Sequence, residues 1–246
     1  MTRRNYVSKG HKIWEMEMSD FANCEIKDGI AVIKLDDGKA NAFSFDMMAA
    51  VNAAMDEAEA NADVIIITGR DGVMCAGFDL KVMQNDANKV PEMVGNGGRL
   101  LVRIFSSKKP VIIASPGHGI AAGGLLMLAA DYRIGVDSDS RYGLNESAIG
   151  MVLPPFGYDL AVYKINNKYL DRCFAGAELI DPQTAIEASF LDEVVVTDKL
   201  LDRALEKAAE MQKLDGRAFA GNKKLVRGEL TKKMTADLES GKGLQV

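Results

Sequence analysis

The sequence predicts an α/β fold built around a parallel sheet, on three observations. The run "DVIIITG" at 63–69 is continuously apolar and β-branched, which suits a strand buried on both faces. A second such run, "VIIASPGHG", follows Lys109-Pro110 and leads into a glycine-rich turn. Strand, small-residue turn and helix then alternate at least three times, the order that builds βαβ units.

The elements follow in order. "CEIKDGIAVIKLDD" alternates apolar and polar residues around Asp28-Gly29 and predicts a two-strand hairpin. "SFDMMAAVNAAMDEAEAN" is an amphipathic helix with Ser44 or Asp46 as its N-cap. "VMCAGFDLKVM", residues 73–83, gives a strand end, a tight turn and a helix start. "NGGRLLVRIFSSKK" is helical by its periodicity. "IAAGGLLMLAADYRIG" puts small residues before an apolar helix, and "YRIGV" is the next strand. Beyond Leu153 come helices with a short strand at "DEVVV". From Asp198 onward the pattern is helical, through "DKLLDRALEKAAEMQKL" and again around "NKKLVRGELTKKM". Three segments result: an N-terminal extension (1–20), an α/β core (21–197) and a helical C-terminal region (198–246). The second boundary is a shift in composition, without a low-complexity linker.

Composition excludes several classes of function. The 246 residues carry a net charge of −5, so general nucleic-acid binding is not expected. The basic stretch "GNKKLVRGELTKK" reads as a solvated helix face. Three widely spaced cysteines and two histidines support neither a disulfide framework nor a metal site. Reduced thiols make the cytoplasm the expected compartment. The first 20 residues lack the apolar run of a secretory signal, and no run approaches the ~18–20 residues of a membrane span.

The chemistry concentrates in two strand-to-helix turns, "CAGFDL" and "GIAAGGLL". A helix start leaves backbone N–H groups without partners and carries the positive end of the dipole. Two such turns can aim two N–H groups at one oxygen, which is an oxyanion hole. Taken singly, each Gly-rich turn reads as packing. The glycines spell neither a dinucleotide fingerprint nor a P-loop. Downstream, "SRYGLNESAIGM" holds one carboxylate, Glu146, with no second acid, histidine or cysteine close by. On its own it reads as a solvated loop acid.

Taken in order, "MCAGFDLKVM", "KPVIIASPGHGIAAGGLLMLAADYRIG" and "RYGLNESAIGMVLPPF" resemble the crotonase (enoyl-CoA hydratase/isomerase) superfamily over about residues 22–230. "KANAF" at 39–43 resembles its early CoA-contacting segment. The resemblance implies a spiral of repeated ββα units, with a helical C-terminal region that assembles a homotrimer or a dimer of trimers. It implies an acyl-CoA substrate, with CoA as part of the substrate and no separate cofactor. The N–H groups of Phe78 and Ala122 would hold the thioester oxygen, with Gly123 in place of Ala122 if the register slips by one. Lys39, Ala40, Ala76, Asp79, Leu80 and Leu125 would contact the substrate.

Hydratases of this superfamily use two glutamates. Here the first of those positions is Leu125 and the second is Glu146. Water addition calls on two carboxylates, whereas one base can move a double bond by taking a proton from C2 and returning it at C4. Burial would raise the Glu146 pKa toward neutrality, and Leu125 would exclude water. "GLNE" further resembles the 3,2-enoyl-CoA isomerase branch. The expectation is therefore an isomerase with Glu146 as its catalytic residue. The alternatives are another enzyme of the superfamily, such as a hydratase, a thioester hydrolase or a decarboxylase; a non-enzymatic member, such as an RNA-binding or scaffold protein; or a plain α/β domain whose motifs are accidental, which their order argues against. Asp79 reads equally well as a helix cap, His118 as a packed or solvent-facing residue, and Cys75 as a small buried one.

Overall fold

The computed structural model describes residues 21–244, so the 1–20 extension lies outside the described residues. The predicted hairpin is β1 (Ala22–Lys27) and β2 (Ile30–Leu35), paired antiparallel. Asp28 and Gly29 both take positive φ, 52° and 77°, the conformation a two-residue turn matched to strand twist requires. Then come α1 (Phe45–Asn61), β3 (Val64–Thr68), β4 (Gly72–Cys75), α2 (Leu80–Asn85) and α3 (Val90–Ser106). The Ser44 hydroxyl caps α1 by accepting from the Met47 N–H, which settles the choice between Ser44 and Asp46.

The chain continues through β5 (Val111–Ala114), β6 (Gly117–Ile120), α4 (Ala122–Ala129), β7 (Tyr132–Val136) and β8 (Tyr142–Gly143). It ends with α5 (Pro155–Lys164), α6 (Asn167–Cys173), α7 (Pro182–Glu187), β9 (Glu193–Val195), α8 (Leu200–Gln212) and α9 (Gly216–Glu239). One sheet has the order β1-β2-β3-β5-β7-β9, parallel throughout except for the hairpin. A second parallel sheet has the order β4-β6-β8. Each pass of the chain lays one strand in the large sheet and the next in the small one, then adds a helix. β3-β4, β5-β6 and β7-β8 repeat this plan, which is the expected ββα spiral.

Two details differ from the sequence expectation. "GHGI", expected as a turn, is strand β6. Its Gly117 lies so close to β4 that a Cβ would come 1.9 Å from the Gly72 carbonyl carbon, so glycine here serves strand contact. Tyr142–Gly143, with no strand predicted, completes the small sheet. Two residues are too short a run for periodicity to detect.

The buried runs explain the layering. Ile65, Ile67, Val111 and Ile113 face the main core with α1, α3 and α4. Val64, Ile66, Ile112 and Ala114 face the other way, against Leu200, Ala204 and Ala208 of α8. The helical C-terminal segment thus covers one face of the large sheet. Beyond it, α9 packs on α3 and α5. Asp131, at the α4–β7 junction, accepts from Lys223 Nζ at 2.7 Å and pairs with Arg227 Nη2 at 2.9 Å, fixing α9 to the core.

Candidate active site

The first turn runs from β4 into α2. Gly77 has φ 106°, a conformation open to glycine but rarely to other residues. Phe43 and Phe78 form a parallel bridge. Phe43 N–H donates to the Gly77 carbonyl at 2.8 Å, and Asp79 N–H to the Phe43 carbonyl at 3.4 Å. This pairing occupies the groups on either side of Phe78, so the Phe78 N–H points away from the 43 segment. Asp79 accepts from the Lys81 N–H at 2.9 Å and caps α2.

The second turn runs from β6 into α4 through Ala121, whose φ of 54° and ψ of −121° are strained for a residue with a Cβ. Two hydrogen bonds hold it there: Ala121 N–H to the Gly143 carbonyl at 2.9 Å, and Leu125 N–H to the Ala121 carbonyl at 3.0 Å. Helix α4 starts at Ala122, whose N–H is among the four at a helix start without an intrahelical partner. The two turns abut. A Cβ placed on Gly77 would lie 3.1 Å from the Ala121 Cβ and 4.0 Å from the Ala122 nitrogen.

Against these turns lies a cavity of about 120 Å³. Ala76, Phe78, Leu80, Leu125 and Glu146, all expected as site residues, line it together. Lys39, Ala40, Asp79, Ala122 and Gly123 do not. Lys39 is exposed beside the first turn, its carbonyl accepting from Arg70, and the Ala40 carbonyl accepts from the Ala76 N–H at 3.1 Å. Asp79 has its cap role. Gly123 faces β4 instead, where a Cβ would come 1.9 Å from the Cys75 carbonyl oxygen; close helix–strand contact explains that glycine.

Glu146 opens a 3-10 turn, Glu146–Ile149, directly after β8. It is 8% exposed, and its Oε2 has no hydrogen-bond partner among the described residues. Burial pushes its carboxyl up to about 7, against the opposing effect of its own backbone N–H. Among the described residues, no other acid, histidine or cysteine lines the cavity. Leu125 occupies its wall at 1% exposure.

The other candidates are accounted for. His118 Nδ1 accepts from the Arg141 N–H at 3.0 Å. The Cys75 thiol is pushed by burial to about 12, which removes it as a nucleophile. Lys223 is held by Asp131. Sequence reasoning missed Ala121, Asn145, Ile149, Met151 and Val152, which also line the cavity. Asn145 Oδ1, like Glu146 Oε2, is buried without a hydrogen-bond partner among the described residues. The available signal was adjacency, since four of these five belong to the single run 145–152 that carries Glu146.

The enoyl-CoA hydratase/isomerase family model matches residues 25–246. The mouse mitochondrial enoyl-CoA delta isomerase 1 is 29% identical over 218 residues, 82% of this chain and 75% of its own. The carnitinyl-CoA dehydratase of Citrobacter koseri is 30% identical over 203 residues, 80% of this chain and 77% of its own. A crystal structure of an enoyl-CoA hydratase/isomerase family protein from Pseudomonas syringae superimposes with a TM-score of 0.88 at 39% identity, covering 91% of this chain and 97% of that one. Fold, paired turns and buried glutamate together define an acyl-CoA enzyme of the crotonase superfamily. The chain belongs to the enoyl-CoA hydratase/isomerase family.

Proposed function

We propose that this enzyme is a 3,2-enoyl-CoA isomerase. The observation that supports it most directly is a single unpartnered carboxylate, Glu146, in a cavity whose wall carries Leu125 where a two-acid hydratase would place its first glutamate. The Glu146 carboxylate takes a proton from C2 of a 3-enoyl thioester. The C–H electron pair becomes a C1–C2 double bond as the carbonyl electrons move to oxygen, giving a dienolate. The N–H groups of Phe78 and Ala122 stabilise that oxygen. The protonated Glu146 then delivers the same proton to C4. The oxygen lone pair restores the carbonyl, and the double bond lies between C2 and C3. A carboxyl titrating at about 7 serves both steps, because base and acid forms are each well populated near neutrality. The proton is returned to the substrate, so the reaction calls on no cofactor.

The test is 3-enoyl-CoA isomerisation by Glu146→Gln. A loss of ~10²–10⁴-fold in kcat is expected for removal of a positioned base, and near-wild-type turnover refutes the assignment. One observation favours a second reading, hydration of 2-enoyl-CoA. Asn145 Oδ1 and Glu146 Oε2 are two buried acceptors on one cavity, a pair that a water molecule can satisfy. A parallel assay with 2-enoyl-CoA separates the two reactions.

A further inference from the structure

We propose that the exposed apolar rim of the Glu146 cavity carries the outer part of a long acyl chain, so that long-chain acyl-CoAs are preferred over six-carbon ones. This rests on the acyl-CoA reading of the cavity. At about 120 Å³ the cavity is on the scale of the ~150 Å³ pocket that holds one benzene ring, room for about six carbons. Its mouth is formed by Leu80, Ile149 and Val152, exposed at 57, 51 and 82%. Soluble proteins seldom leave large apolar side chains clustered in water unless something binds there. Continuity and chemistry argue for the acyl chain as the occupant, because these three side chains line the same cavity as Glu146 and are apolar, as the acyl chain is and the amide-bearing pantetheine is not. Leu80 opens α2, a six-residue helix that buries none of its residues, so one wall of the exit is already in water. Ile149 and Val152 flank the other, on the segment that follows Glu146. A chain leaving the cavity is therefore delivered between two apolar edges.

The experiment compares hexanoyl-CoA with dodecanoyl-CoA in calorimetric binding, alongside kcat/KM for the matching 3-enoyl-CoAs, in wild type and in the double variant Leu80→Ser/Val152→Ser. Wild type is expected to bind the twelve-carbon ligand at least ~10-fold more tightly, since each buried methylene contributes roughly 3–4-fold. The double variant is expected to lose most of that twelve-to-six ratio. Equal binding of the two lengths by wild type overturns the proposal. So does a double variant that keeps the wild-type ratio, the result expected if a second copy of the chain covers the rim. The saturated ligands do not react. A length preference that depends on the rim, in an enzyme that isomerises neither 3-enoyl substrate, therefore upholds this proposal while refuting the isomerase reading.

Discussion

Glu146 carries two opposite consequences of burial. Its raised pKa suits it to the base role of the proposed isomerisation near neutrality, and it also makes the folded state pay for ionising it. For the first, the proposed isomerisation needs the carboxylate, so kcat/KM for 3-enoyl-CoA is expected to fall as pH drops through about 7. A pH–rate profile from about pH 5 to 9 checks this, and a flat profile above about pH 5 would contradict it. For the second, the folded pKa of about 7 lies above the ordinary 4.5, so the folded protein holds the proton more tightly than the unfolded chain does. The stability this gives is fully present below pH 4.5 and is lost as pH rises through about 7. Glu146→Gln, which cannot ionise, is then expected to gain stability over wild type between pH 5 and pH 8, on the order of 2–3 kcal/mol. Urea unfolding of both proteins at the two pH values measures it.

At the scale of elements, the site depends on how closely strands and helices approach at the two turns. Gly123 is the glycine of α4 that meets β4, with the Cys75 carbonyl oxygen where a Cβ would go. Backbone cannot give way as a flexible side chain can, so Gly123→Ala must push α4 off the strand. The expected cost is ~3 kcal/mol or more, read as a fall in Tm, with the proposed isomerisation impaired because Ala122, its proposed oxyanion donor, begins the same helix. A change within experimental error would show that the approach is looser than the geometry implies. The paired apolar runs of β3 and β5 were legible in the sequence because buried parallel strands need no polar face. The two-residue β8 was not, because its existence depends on pairing with β6, which is distant in the chain.

Across the whole molecule, one buried acid ties the C-terminal helix to the core. Asp131 takes Lys223, Arg227 and the Val111 N–H, and both cations are themselves almost fully buried. Removing the acid strands two cations in a low-dielectric setting. Asp131→Ala is therefore expected to destabilise by ~3–5 kcal/mol in denaturant titration, and a loss below ~1 kcal/mol would show that α9 is held by its apolar contacts alone. The charged pattern of "GNKKLVRGELTKK" read as a solvated face, yet two of its cations point inward. Charge along a helix does not tell which residue will meet a buried acid some ninety positions earlier in the chain, at a separation only the fold closes.

Local chemistry was written in the sequence. The α/β class, the hairpin at Asp28-Gly29, a helix cap at Ser44 or Asp46, and the order of turns leading to Glu146 all rest on residues within a few positions of one another, where steric and hydrogen-bonding preferences act directly. Tertiary structure decided what depends on convergence. It brought Phe78, Leu125 and Glu146 onto one cavity, buried Glu146 deeply enough to move its titration, and turned Gly123 away toward Cys75. It also left Leu80, Ile149 and Val152 in water at the cavity mouth. Burial is a property of the surroundings assembled from the whole chain, and so the same glutamate that reads as a solvated loop acid in isolation is an enclosed carboxylate in the folded protein.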